Sequence, residues 1–207
     1  MKNKCLTLIL IAISYTTFGQ IEKDLNIHNM LRGQIYASSS VEDSSALGGF
    51  GGSDNSPKKL TDSLRFEETG LFLKIDTSKS ITIAGKYRGY NFYIVNKTDS
   101  IVTLDASDSR LYVVAEAYVN SKWQPIEYLP SSWCGNSYHR VFLKKNEYWE
   151  FQIPKFAGNL KTKIRYRLDL RNGHFIYSNE MNAKINKKQL TDKQGHKPTG
   201  IMDPYND

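Results

Sequence analysis

The 207-residue chain carries 28 lysines and arginines against 21 aspartates and glutamates, a formal net charge of +7, with 40% hydrophobic residues and two cysteines. This composition excludes a disulfide-stapled scaffold and a chain too polar to build a core. The charge is too mild for the length to demand a polyanionic partner.

Residues 1–19 read as a secretory leader: Lys2 and Lys4 form the positive n-region, residues 6–13 the apolar h-region, and Thr17-Phe18-Gly19 leads to a small-residue cut before Gln20. The apolar run is too short to span a bilayer and no second run of spanning length follows, so the expectation is an exported chain, periplasmic or extracellular, with no membrane span. Cys5 opens the h-region instead of following it, so lipid anchoring is not expected, and the leader resembles an ordinary bacterial secretory one. Its removal takes away two lysines and no acid, lowering the net charge to +5, and leaves one cysteine, Cys134, with no intramolecular disulfide partner.

Residues 20–70 are expected to be an N-terminal arm and linker. The first part is weakly helical or irregular, with Leu25, Ile27, Met30 and Leu31 as its apolar residues. Residues 38–57 are rich in Ser, Gly and Asp and contain Gly48-Gly49-Phe50-Gly51-Gly52, too little apolar surface to offset ordering entropy, so a flexible linker is expected. The glycine run lacks the Lys-Ser/Thr of a phosphate loop and does not join a strand to an amphipathic helix, which argues against nucleotide binding.

Strand patterning runs over residues 71–186. Residues 71–75 and 81–83 open it, residues 90–96 alternate, and Asn96-Lys97-Thr98-Asp99 reads as the turn into residues 101–104. Residues 111–119 alternate again, with Leu111, Val113, Ala115, Ala117 and Val119 opposite Tyr112, Val114, Glu116 and Tyr118, and a tight turn at Asn120-Ser121 returns the chain into residues 123–129. Residues 141–143 and 148–153 follow.

The last unit is a hairpin over residues 161–185. Asn172-Gly173 between two alternating runs predicts a two-residue type I′ turn. That register pairs Leu170 with Phe175, Leu168 with Tyr177, Ile164 with Met181 and Thr162 with Ala183 on a core face. The other face carries Lys161, Lys163, Arg165, Arg167 and Arg171 against Lys184, Asn182, Glu180, Ser178 and His174, with Arg165 and Glu180 as a cross-strand ion pair. This basic face is a solvated surface that keeps the sheet soluble; an anionic glycan is its alternative use, and nucleic acid is not expected as a partner. Residues 187–207 turn polar and read as a loosely draped tail.

With these strands, residues 147–153, the turn before Lys161 and the Asn172-Gly173 hairpin resemble an immunoglobulin-like or fibronectin-type domain. The resemblance implies an all-β fold, an antiparallel immunoglobulin-like β-sandwich of seven to nine strands. The paired cysteines of antibody domains are absent, and no functional residue is carried over with the fold.

The densest aromatic cluster is Tyr118, Trp123, Tyr128, Trp133, Tyr138, Tyr148 and Trp149. Trp149, in phase with Phe151 and Ile153, is expected in the core. Trp133, in the loop 130–136, is the expected exposed ring, and Trp133 with Tyr128 and Tyr138 is the expected ligand-binding set. Cys134 and His139 are the one nucleophile-and-base combination in local reach, but no third group orients them. The four histidines show no ligand spacing, and Asp99, Asp105 and Asp108 read as turn formers before they read as a calcium loop. Glu67-Glu68 cannot be read as a glycosidase dyad, and no catalytic residue, metal or organic cofactor is expected. The expected function is that of a non-enzymatic module binding a protein or glycan at the bacterial surface or in the periplasm. Its alternatives are a thiol-dependent or hydrolytic enzyme centred on Cys134 and His139, and an assembly component that pairs through an exposed sheet edge.

Overall fold

A computed structural model describes residues 22–132, 134–170 and 173–195. Residues 1–21, which include the expected leader, Trp133, Arg171, Asn172 and residues 196–207 lie outside the described residues. The strands are β1 (Leu25–Asn26), β2 (Leu31–Arg32), β3 (Lys58–Lys59), β4 (Gly70–Ile83), β5 (Tyr87–Lys97), β6 (Val102–Ser107), β7 (Arg110–Leu111) and β8 (Val113–Val119). They continue with β9 (Lys122–Pro125), β10 (Glu127–Tyr128), β11 (Tyr138–Leu143), β12 (Glu147–Pro154), β13 (Phe156–Ala157), β14 (Leu160–Asp169), β15 (Phe175–Tyr177) and β16 (Met181–Ile185). The chain is all-β, and its larger sheets are antiparallel: β3-β12-β5-β4, then β15 and β16 on β14 followed by β8 and β9, and β11-β6-β7. Among the described residues no helix is long and apolar enough to cross a membrane.

Period-two alternation sends one face of each long strand into a shared core: Leu73 and Ile75 from β4, Phe92 and Ile94 from β5, Trp149 and Ile153 from β12, Val113 and Ala115 from β8, and Ile164, Tyr166 and Leu168 from β14. Trp149 is fully buried, as its phase with Phe151 and Ile153 predicts, and its indole N–H donates to the Ser38 carbonyl at 2.8 Å. The turn after β5 is stitched by Asn96, which donates to the carbonyls of Ser100 and Leu143 and accepts from the Thr98 N–H.

The tight turn expected at Asn120-Ser121 is present. Both residues have positive φ, 52° and 60°, and Val119 pairs with Lys122 across them.

The C-terminal hairpin keeps the expected register in its outer half, with Thr162 opposite Ala183 and Ile164 opposite Met181. Nearer the turn the register is corrected by one residue: Arg167 faces Tyr177 and Asp169 faces Phe175. The cause is a bulge. Three residues, Ser178, Asn179 and Glu180, stand opposite two, Arg165 and Tyr166. Ser178 turns inward and its hydroxyl accepts from the Tyr166 N–H at 2.9 Å. Asn179 turns outward onto the edge of β4, accepting from the Ile75 N–H at 2.7 Å and donating to its carbonyl at 3.1 Å, a side chain acting as a strand partner.

The slip places Phe175 and Tyr177 on the cation face instead of the core face, and they remain 44% and 43% exposed. Arg165 is sandwiched between the rings of Trp123 and Tyr177, at 4.2 and 3.8 Å, and Arg167 lies over Phe175 at 5.0 Å. Beneath them is Glu116 of β8, directly opposite Arg165 in register, its side chain only 4% exposed and paired with Arg165 at 2.9 Å and Arg167 at 2.6 Å. The expected Arg165–Glu180 pair is therefore replaced; Glu180 takes Lys163 instead, at 2.8 Å. The basic face is a clamp over a buried carboxylate more than a free cationic row.

The N-terminal segment is not the loose arm and linker expected of it. β1 runs parallel to β13 and β2 parallel to β10, because short extended segments satisfy their amides on the neighbouring strand edges. Leu60, Leu64 and Phe66 cover a second apolar cluster of Phe72, Tyr93 and Val95. Residues 187–195 likewise depart from a draped tail: Asn186 and Gln189 form a reciprocal cap on a short 3-10 turn, Asn186 donates to Asn26 and Ile27, and the Gly195 N–H donates to the Met30 carbonyl.

Replacing Glu116 with Gln removes the carboxylate beneath Arg165 and leaves Arg167 its second pair, with Asp169 at 2.8 Å. It should lower the unfolding free energy by about 2 kcal/mol, below the 3–5 of a fully buried pair because both arginines stay partly wet. Urea denaturation of E116Q beside E180Q checks this; E180Q, which touches only the exposed Lys163 pair, should leave the midpoint unmoved.

Candidate functional site

An open polar cavity of about 570 Å³ is lined by Asp43, Ser45, Asp105, Ala106, Tyr112, Tyr138, His139 and Arg140. Pairing of β11 with β6 sets its back wall. Arg140 stands opposite Asp105 and Tyr138 opposite Ser107, so alternation along β11 presents Tyr138 and Arg140 on one side and buries Val141 on the other. Tyr138 is 45% exposed.

The front wall comes from the glycine-rich segment. Asp43 receives the Arg140 backbone N–H at 2.8 Å and the guanidinium on both oxygens, from Nε at 3.2 Å and Nη2 at 2.8 Å. Ser45 adds its N–H and hydroxyl to Oδ1, and Arg140 Nη2 also donates to the Ser45 hydroxyl. The guanidinium, against the opposing cost of burial, and then Ser45 hold the Asp43 carboxyl well below the usual carboxylate range.

The segment is fastened further at the turn Asp108-Ser109. Gly51 N–H donates to Asp108 Oδ1 at 2.8 Å, the Ser109 hydroxyl donates to the Gly51 carbonyl at 2.9 Å, and the Phe50 ring stacks on His139 with centroids 3.7 Å apart. A Cβ on Gly51 would stand 3.2 Å from the Asp108 Cβ, so a larger residue there would have to press the Asp108 side chain back. His139 Nε2 accepts from the Ser109 N–H at 2.9 Å, which puts the ring proton on Nδ1, 3.4 Å from the Arg140 carbonyl. Burial pushes the His139 imidazole below its ordinary value, against the opposing pull of Arg140, Asp43 and Asp108. Both ring nitrogens and one ring face are thus engaged, and Cys134 is an exposed free thiol.

Of the expected ligand-binding set, Tyr138 lies in this cavity, its hydroxyl accepting from the Ser132 N–H at 3.3 Å. Tyr128 lines a different cavity, because β10 is drawn to β2. Trp133 lies outside the described residues. Sequence reasoning missed Asp43, Arg140 and Tyr112. Asp43 and Arg140 are 97 residues apart and share no local pattern. Tyr112, whose phenol is raised by burial and then by Tyr138 and Asp105, was visible as the polar-capable member of an alternating strand.

Of the basic face, Arg165, Arg167 and Lys163 hold carboxylates. Lys161 stands opposite Lys184 in register and shares a cavity of about 330 Å³ with it and Lys155. Among the described residues no three His, Cys, Asp or Glu side chains gather to hold a metal.

The wall of this cavity should respond to pH in two steps. His139 is lowered in the folded chain, so its contribution is complete above its unfolded value near 6.5 and is lost as pH falls through the folded one; Asp43 behaves alike, starting from 3.8. Hydrogen exchange should show the amides of Ser109 and Gly51 losing protection as pH drops below 6.5, and Arg140 only below about 4. Amides of Ile94 and Ile164 should hold throughout. No family model, curated protein or solved structure matches this chain.

Proposed function

We propose that the chain is a secreted, non-enzymatic binding protein with an immunoglobulin-like sandwich, and that it takes a glycan in the cavity between Tyr138, Tyr112, Asp105, Arg140 and Asp43. The observation that carries this reading is the pairing of a half-exposed tyrosine ring with a pre-locked planar carboxylate–guanidinium pair in one open polar cavity. A sugar offers apolar C–H faces, which stack on an aromatic ring, and vicinal hydroxyls, which match planar donors and acceptors held in fixed geometry. Fixing Arg140 on Asp43 before binding removes the entropic cost of ordering it afterwards. A polypeptide partner would favour a buried apolar anchor pocket, and this cavity is open and sets Asp43, Asp105 and Arg140 beside its tyrosines.

Binding without chemistry is supported by the same geometry. His139 is committed to the Ser109 N–H and the Phe50 ring, which withholds it from serving Cys134 as a base. Asp43 is held ionised by Arg140, the opposite of what a glycosidic general acid requires.

The test is a panel of neutral and acidic glycans presented to the wild-type chain and to Tyr138→Ala and Asp105→Asn. Each substitution should weaken the retained glycan about tenfold, with an unchanged melting temperature. Retention of no glycan, or retention indifferent to both substitutions, would sink the reading.

A further inference from the structure

The cavity lined by Tyr128 differs in chemistry from the one above. It encloses about 300 Å³, the small end of the range for ligand sites, and its walls are mostly carbon: Leu25, Met30, Ile35, Ile153 and Pro154, with the buried ring of Tyr166. Set into that apolar wall is Glu127, 7% exposed. One oxygen has a structural duty. β9 ends at Pro125, Ile126 N–H bonds the Ala115 carbonyl, and the Ala115 N–H is left to Glu127 Oε2 at 2.9 Å.

Among the described residues no cation pairs with this carboxyl. Arg32, which also borders the cavity, donates to the Tyr36 hydroxyl at 3.3 Å and has further partners of its own. Burial pushes the Glu127 carboxyl up to about 7, with the Ala115 N–H pulling it back. Glutamine would serve the Ala115 N–H as well, without the cost of desolvating an acid. An acid in a carbon-walled cavity is the group that selects a ligand bearing a positive charge.

We propose that this cavity binds a small amphipathic amine, its ammonium against Glu127 and its apolar body along Leu25, Met30 and Ile153. Binding replaces an unpaired buried carboxyl with an ion pair and fills carbon-lined space with carbon, and both changes favour the complex. The site is separate from the polar cavity of Tyr138, and its occupancy does not depend on the glycan reading.

The experiment is titration calorimetry on the full chain at about pH 7.5 with phenethylamine, phenethyl alcohol and phenylacetate, three probes of nearly one shape and different charge. Phenethylamine should bind at least about tenfold tighter than the alcohol, and phenylacetate should not bind. Glu127→Gln, which keeps an oxygen for the Ala115 N–H, should erase the preference for the amine while holding the melting temperature. Leu25→Trp, which fills the cavity and leaves the carboxyl in place, should abolish binding of amine and alcohol alike and serves if the glutamine variant does not fold. Equal affinity for amine and alcohol, no binding of any probe, amine binding that survives Glu127→Gln, or binding that survives Leu25→Trp each overturns the assignment.

Discussion

Strand β14 has hydrogen-bonded neighbours on both edges, β8 on one and β15 with β16 on the other, so each of its side chains must be satisfied on a face with no freedom to turn away. Its inward residues, Ile164, Tyr166 and Leu168, are core. Its outward residues, Arg165 and Arg167, would carry two adjacent charges onto a partly covered face, and Glu116 across the strand pair, with Asp169 beside Arg167, offsets them. Aromatic rings then close over the guanidiniums, which are weakly hydrated and stack readily. Lysine at either position would keep the charge and lose the stack.

The same strand explains why the sheets hold together at their margin. The extra residue in the Ser178–Glu180 bulge releases Asn179 from the β14 pairing, and the freed amide bonds both backbone groups of Ile75 on β4. A bulge that locally disrupts one ladder thus supplies a link to another sheet and occupies part of a strand edge that otherwise invites foreign pairing.

Both cavities are bounded by chain that is poor in regular structure. Asp43 and Ser45 wall the polar one; Leu25, Met30 and Ile35 wall the apolar one. The sheets supply the rigid side of each, Arg140 and Tyr138 from β11 in the first and Ile153 from β12 in the second. This division, a rigid scaffold with irregular segments laid on it, is how recognition sites are commonly built. It also gives the two cavities different chemistry on one framework: fixed charges with much polar surface in one, a buried acid in a largely apolar wall in the other.

The alternating runs, the turn at Asn120-Ser121, the burial of Trp149 and the outer register of the final hairpin were all determined by the sequence alone, because each depends on residues within a few positions of one another. The inner register was not, since a bulge is a choice between two ladders whose balance is set by what Ser178 and Asn179 meet elsewhere. The partner of Arg165 was missed because the hairpin names only one neighbour of β14, and Glu116 lies on the other. The glycine-rich segment read as unstructured because it has little apolar surface of its own; it is ordered by hydrogen bonds and a ring stack to residues about 57 to 97 positions away. Tertiary structure alone decided which tyrosine belongs to which cavity and where a carboxylate is left to face carbon, since those outcomes depend on which strands become neighbours and not on the order in which they are strung.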